Sequence, residues 1–187
     1  MDTPLNLSGQ MLIAMPSLND PRFEHAVVFL CDHSEQGAMG LIVNKAVPGM
    51  SLANLLEEMD ISSSEGINQT EIYFGGPVEG GRGFVLHNPG FEGTGTVMVN
   101  DHFSLTATRD ILEAMATGNG PEQVLVALGY AGWGPGQLEN ELKRNDWLTT
   151  PAEDAIVFNA DPGTKWHQAL AAMGIDPVLL SAEGGTA

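Results

Sequence analysis

The segment 129–142 constrains the fold of this chain more than any other part of the sequence. It reads Gly-Tyr-Ala-Gly-Trp-Gly-Pro-Gly-Gln-Leu-Glu-Asn-Glu-Leu, which places four glycines around one tryptophan, Trp133. Glycine loses more backbone entropy on folding than other residues, so this composition indicates close backbone approach around a large ring. The apolar run 123–129 before it lacks alternation and predicts a central strand covered on both faces. Pro135 predicts the start of a helix that reaches about Arg144.

Apolar runs and turn signals divide the rest of the chain into hairpins and later helices. We predict strands over residues 11–15, 26–32, 38–44, 71–75, 83–87, 94–99, 103–107 and 155–159, and helices after the N-cap residues Ser51, Thr108 and Asp161. Hairpins without βαβ alternation favour a mainly antiparallel sheet with helices against it. The sequence therefore predicts one compact α+β domain over residues 1–187. We expect a surface loop at 61–70 and a frayed tail from about residue 181.

The charge and the cysteine count restrict the partners and the compartment that we expect. Seven Lys and Arg against 24 Asp and Glu give a formal net charge of −17, which opposes approach to nucleic acid or anionic lipid. No apolar run approaches the roughly 20 residues that span a bilayer, and the start carries Asp2 where a secretory signal needs positive charge. The single cysteine, Cys31, cannot form an intrachain disulfide. We therefore expect a cytoplasmic protein with no direct nucleic-acid or membrane binding.

Several motif blocks follow one another in a distinctive order. They are Pro16-Ser-Leu-Asn-Asp-Pro-Arg-Phe23, Asp32-His33, Gly37-Ala-Met-Gly-Leu-Ile-Val-Asn44, Gly75-Gly-Pro-Val78, Leu86-His87 and Gly129-Tyr-Ala-Gly-Trp133 leading into Gln137-Leu-Glu-Asn-Glu141. In this order and spacing they resemble the AlgH/YqgE family of bacterial proteins, over roughly residues 9–175. The resemblance implies an α+β domain with a barrel-like, partly split sheet flanked by helices. Family members often carry the label of transcriptional regulator, but the resemblance implies no biochemical activity and no catalytic residues.

Polar and aromatic residues of these blocks are the candidate ligand-binding residues: His33, Asn44, His87, Trp133, Gln137 and Glu139. His33 and His87 end predicted strands, where binding groups are often found. The 11 residues between His33 and Asn44 suit opposite positions across a hairpin. We therefore expect His33, Asn44, His87 and Glu139 to lie near one another around the loop that carries Trp133. The competing interpretation is that each of these side chains hydrogen-bonds only to backbone groups near it, which would leave them scattered.

The motifs that usually mark catalysis do not occur in the sequence. No dinucleotide fingerprint, phosphate loop, His-Glu-x-x-His or Gly-x-Ser-x-Gly pattern is present, so we expect no cofactor and no metal. Glu139 and Glu141 are two residues apart and cannot form a paired acid–base site, so one should face the sheet and the other solvent. Cys31 is either an inert buried thiol or a redox sensor beside His33.

Two functions remain open at this point. The first is a regulatory or binding domain that acts through protein or small-ligand contacts. The alternative is an undiscovered enzyme with a site near His33, His87 and the Trp133 loop. The sequence favours the first, and names neither a ligand nor an oligomeric state.

Overall fold

The computed structural model describes residues 6–63, 70–159 and 161–180. The predicted tail from residue 181 and most of the predicted loop at 61–70 lie outside the described residues. The strands are β1 (Gln10–Ala14), β2 (Val27–Ser34), β3 (Gly37–Ile42), β4 (Ala46–Ser51), β5 (Glu71–Phe74), β6 (Val78–His87), β7 (Thr96–Met98), β8 (Ser104–Thr106), β9 (Val124–Trp133) and β10 (Trp147–Pro151). The helices are α1 (Leu52–Glu58), α2 (Arg109–Ala116), α3 (Gln137–Lys143) and α4 (Lys165–Ala172), with 3-10 turns at Pro21–Phe23, Pro162–Thr164 and Pro177–Leu180 and a π-helical turn at Ala155–Asn159.

One curled sheet runs in the order β10-β1-β2-β3-β9-β6-β8-β7, and β5 and β4 extend it beside β9. Strand β9 lies at the centre because it pairs antiparallel with β3 and β6 and parallel with β5. Its Val126 side chain is fully buried. The predictions of an α+β fold with a mainly antiparallel, barrel-like sheet and of a central strand at 123–129 are therefore confirmed.

Close contact between Gly76 and Gly129 brings distant motif blocks together. A Cβ atom on Gly76 would lie 2.1 Å from the backbone carbon of Tyr130, and one on Gly129 would lie 2.4 Å from the Gly76 oxygen. Both glycines also have positive φ, +155° and +76°. Only glycine fits at such positions. This contact fixes the start of β6, at Val78, beside the end of β9.

Three details of the predicted secondary structure are wrong. The glycine-rich run is the second half of β9 rather than a loop, so Trp133 is the last residue of a strand. The segment 155–159 is a π-helical turn, not a strand, although its Ile156 and Val157 are buried as a strand's would be. Strands β4 and β10 were not predicted. A short apolar run does not distinguish a strand from another buried segment.

Candidate functional site

A cleft with a volume of about 260 Å³ opens where the motif blocks meet. The 3-10 turn at Pro21–Phe23, the start of β6, the end of β9, helix α3 and the start of β10 form its walls. Its lining residues are Leu18, Asp20, Arg22, Phe23, Pro77, Val78, Gly132, Trp133, Gln137, Glu141 and Trp147. We call it the Glu141 cleft. It is therefore built from segments far apart in sequence that the sheet brings together.

A buried carboxylate, Glu141, organises the interior of this cleft. Its Oε1 atom accepts hydrogen bonds from the indole Nε1 atoms of Trp133 at 3.1 Å and Trp147 at 2.9 Å. Its Oε2 atom accepts from Nε2 of Gln137 at 3.0 Å, one helical turn earlier on α3. Burying a carboxylate is costly unless donors replace its lost water. Three N–H donors compensate here, and the carboxylate in turn fixes both indole rings.

Aromatic rings pack edge to face around the carboxylate. Trp133 and Trp147 have centroids 5.9 Å apart at 76°, and Phe23 meets Trp147 at 5.8 Å and 76°. Such geometry is favoured by the quadrupoles of the rings. Trp133 is only 7% exposed, and Trp147 only 2%. The burial agrees with a packed Trp133 ring, but Gly129 gives clearance to the backbone of Gly76 and Val78 and not to this ring.

An ion pair lies at the mouth of the cleft. Asp20 caps the 3-10 turn by accepting from the backbone N–H of Arg22, and it also accepts from Nε and Nη2 of that arginine at 3.1 and 2.7 Å. The bond with Arg22 lowers the pKa of the Asp20 carboxyl, against the smaller opposing effect of burial. The Arg22 side chain is 59% exposed, and its guanidinium lies 5.7 Å from the centroid of the Phe23 ring. The aromatic wall of the cleft formed by Phe23 therefore already contacts one cation, the Arg22 guanidinium.

His33 and Glu139 meet on the neighbouring side of α3. The Nδ1 atom of His33 accepts from the backbone N–H of Leu7 at 3.0 Å, so its Nε2 carries the proton and donates to Glu139 Oε1 at 2.6 Å. Ala38 of β3 pairs with His33 on one side and with Trp133 on the other. The structure therefore brings His33, Glu139 and Trp133 together. Both ring nitrogens of the buried His33 are already bonded.

Asn44 does not join this group. Its side chain bonds to the backbone of His25 and Val27, at the start of β2, while His33 lies six residues further along the strand. Six extended residues span about 20 Å. The hairpin turn between Ser34 and Gly37 is tight, so His33 pairs with Ala38 and not with Asn44. The predicted pairing of His33 with Asn44 is wrong, because the separation of 11 residues does not match this register.

His87 is also remote from Trp133. It pairs with Val124 across β6 and β9, nine residues before Trp133, or about 30 Å along an extended strand. Its Nδ1 donates to the Asn88 carbonyl at 2.8 Å, and its Nε2 therefore accepts from the Thr106 hydroxyl at 2.8 Å. Burial lowers the pKa of His87, with the Asn88 bond opposing. The prediction that His87 lies near His33 and Trp133 is therefore wrong, because both ring nitrogens of His87 bond to neighbouring groups of its own part of the sheet.

Sequence reasoning selected Gln137 and Glu139 and passed over Glu141 and Trp147. Gln137 lines the cleft as expected, but Glu139 faces His33 with 31% of its side chain exposed, whereas Glu141 is buried. The expectation that one of the two carboxylates points to solvent is not met, because the partly buried Glu139 bonds to the buried His33 of β2. The spacing Gln137-x-x-x-Glu141 on a helix was the available signal, since residues four apart share a face.

Two further buried groups lie outside the cleft. The ammonium of Lys165, which is 1% exposed, donates to the carbonyls of Val43 at 2.8 Å and Val157 at 2.6 Å. Burial lowers its pKa to about 8, although Glu71 opposes this shift. Burial raises the pKa of the Cys31 thiol far above its ordinary value, with a contribution from Asp32. This shift suits an inert thiol better than a redox sensor.

Two features are absent from the part of the chain that the structure describes. Over residues 6–63, 70–159 and 161–180, no three or more His, Cys, Asp or Glu side chains cluster in a way that could hold a metal ion. Within the same ranges, no helix has both the length and the apolar composition needed to cross a membrane.

Comparison with known proteins assigns the family. The family model described as AlgH-like matches residues 11–178. The chain belongs to the AlgH-like family. A UPF0301 protein of Cereibacter sphaeroides is 52% identical over 184 residues, covering 98% of this chain and 100% of that protein. A UPF0301 protein of Paracoccus denitrificans is 47% identical, with full coverage of both chains.

Solved structures of similar proteins share the fold. The solution structure of the AlgH protein from Pseudomonas aeruginosa superposes with a TM-score of 0.81 at 42% identity, covering 97% of this chain and 96% of that one. Protein DIP2367 from Corynebacterium diphtheriae shares the fold at a TM-score of 0.71 and 19% identity, covering 92% and 90% of the two chains. The resemblance to AlgH/YqgE proteins is confirmed.

Proposed function

We propose that this AlgH-like chain is a binding domain with a regulatory role, which acts through protein or small-ligand contacts at the Glu141 cleft. The observation that carries the proposal is the arrangement of the cleft's polar groups. Glu141, Trp133, Trp147 and Gln137 are oriented by bonds to one another before any ligand arrives. Such preorganisation reduces the ordering cost of binding.

The chemistry of the cleft favours a cationic group or an N–H donor. Glu141 Oε2 accepts one hydrogen bond, from Gln137, and a carboxylate oxygen has room for a second. The position of Arg22 over Phe23 indicates that the aromatic wall suits a cation. A net charge of −17 also attracts positive groups over a longer range. We therefore expect the ligand, whether a partner's side chain or a small molecule, to present an amine, a guanidinium or an amide N–H.

The enzyme alternative has less support from the geometry. It relied on His33 and His87 lying together, and they lie in different parts of the sheet. Each of their ring nitrogens already has a bonding partner, so neither histidine has a free nitrogen for proton transfer in this arrangement. The proposal also includes a cytoplasmic location and no direct contact with DNA, in keeping with the acidic charge and the single buried cysteine.

Photo-crosslinking with a matched pair of arginine variants tests the proposal. A photoreactive amino acid replaces Leu18, which lines the cleft, and the chain is irradiated in bacterial cells. Arg22→Ala removes the guanidinium at the mouth of the cleft. The control, Arg144→Ala, removes a similarly exposed arginine that also pairs with an aspartate two residues away. We expect a specific product that Arg22→Ala strengthens, because the change removes a competing cation from Phe23 and Asp20, and that Arg144→Ala leaves unchanged. No product, or a product that both variants affect equally, would overturn the proposal.

A further inference from the structure

A second cavity, of about 330 Å³, lies between α1 and α2 over the outer face of β6, β8 and β9. We call it the α1–α2 cavity. Most of its wall is apolar and includes Leu55, Met59, Val85, Leu112, Val126 and Leu128, while Thr106 and Thr108 add hydroxyl groups. The volume falls within the range of small-molecule sites, roughly 300–1,000 Å³. The cavity is separate from the Glu141 cleft, with which it shares no lining residue.

Two arginines stand at the rim of this cavity, Arg82 and Arg109. They are two of only seven Lys and Arg residues in a chain with 24 acids. Arg82 is displaced from the strand ladder by the irregularity between Val78 and Gly83, and its guanidinium lies 5.1 Å from the Phe84 centroid. Arg109 is the first residue of α2. The molecule therefore places two of its few cations beside a single apolar cavity.

Both guanidiniums retain donors for a ligand. Arg82 meets Glu79 through Nη1 at 3.7 Å, and Arg109 meets Glu113 through Nε at 3.2 Å. Exposed ion pairs of this kind are weak and exchange readily with other partners. Each leaves N–H groups unused by its pair, and a guanidinium matches a carboxylate in a bidentate manner.

We propose that the α1–α2 cavity binds a small amphipathic carboxylate, with its alkyl chain between the helices and its carboxylate at Arg82 and Arg109. The overall negative field opposes a purely polar anion, so the alkyl chain has to supply much of the affinity. Each buried methylene strengthens binding about four-fold. Glu58 also borders the cavity and repels a carboxylate on its side, which favours the end where the arginines lie.

Calorimetric titration of the full chain with alkyl carboxylates tests this proposal. We expect saturable one-to-one binding of octanoate, and about fifteen-fold tighter binding for octanoate than for hexanoate, from two more buried methylenes. Octan-1-ol has the same number of carbon atoms without the charge and should bind at least ten-fold more weakly than octanoate. Methyl NMR signals of Leu112 and Val126 should shift, while those of Leu138, a buried residue of α3 in a different core cluster, should not.

Arginine variants separate charge recognition from simple apolar partitioning. Arg82→Ala and Arg109→Ala should each weaken octanoate binding about ten-fold and leave octan-1-ol binding unchanged. Arg144→Ala, an exposed arginine outside the cavity, should change neither. Thermal unfolding confirms that each variant is folded. The proposal is overturned if octanoate does not saturate the protein, if octan-1-ol binds equally well, or if the arginine variants have no effect. None of these outcomes bears on the Glu141 cleft.

Discussion

Replacing Glu141 by alanine tests the hydrogen-bond network at its centre. The change removes the acceptor of two buried indole N–H groups, those of Trp133 and Trp147. An unsatisfied buried donor costs about 1–3 kcal/mol, so the two indoles together predict a loss of about 2–6 kcal/mol in the free energy of unfolding. Gln137 adds little, because its side chain is exposed and can turn to water. Such a loss is a large part of the stability of an ordinary domain.

Two matched variants show whether the loss comes from the indoles. Glu139→Ala, on the same helix, removes the acceptor of one buried donor, His33 Nε2, and should cost about 1–3 kcal/mol. Glu141→Gln keeps an acceptor oxygen for both indoles and should cost less than half as much as Glu141→Ala.

Urea denaturation followed by circular dichroism measures all three variants under the same conditions. The reasoning is refuted if Glu141→Ala is no less stable than Glu139→Ala, because the two indoles would then not depend on the carboxylate.

Three further predictions concern pH and nucleic acid. Burial lowers the pKa of Lys165 to about 8 in the folded state, from an ordinary 10.5. As pH rises, Lys165 therefore loses its proton in the folded state before it does so in the unfolded state. The free energy of unfolding should then rise between pH 8 and 10, by up to about 3 kcal/mol. Lys165→Met should lack this rise in urea titrations, and an equal rise in the variant would contradict the assignment. The pKa of His87 is lowered in the folded state, so as pH falls the unfolded state takes up the proton first. The free energy of unfolding should therefore decrease as pH drops below about 6.5, and it should decrease less steeply in His87→Gln. In fluorescence anisotropy at physiological salt, the chain should show no sequence-specific binding to duplex DNA, and nanomolar sequence-dependent binding would contradict this.

Local patterns predicted the parts of the fold that depend on local chemistry. The hairpin of β2 and β3 followed from two apolar runs, 26–32 and 38–44, separated by a turn signal, and the central position of β9 from its lack of alternation. The glycines predicted a close approach of backbone segments, which Gly76 and Gly129 provide.

The parts that depend on distant segments were not predictable in the same way. The choice between Glu139 and Glu141 depends on which face of α3 meets Trp147, and Trp147 begins a strand that the sequence did not reveal. Lysine is a mostly exposed residue type, so nothing in the sequence marked Lys165 as buried under two carbonyl groups. His33 and Asn44 were misplaced because their relation depends on the register of one hairpin.

Nuclear magnetic resonance of the indole N–H groups tests most directly whether the Glu141 cleft is a binding site. Trp133 and Trp147 line the cleft, whereas the third tryptophan, Trp166, donates to the Ala14 carbonyl elsewhere and serves as an internal reference. Nitrogen-15-labelled protein is added to concentrated, unlabelled bacterial extract. We expect the Trp133 and Trp147 signals to shift and the Trp166 signal to stay, with a larger shift in Arg22→Ala than in Arg144→Ala or in the unchanged chain. Signals that remain unchanged, or that move equally for all three tryptophans, would contradict this expectation.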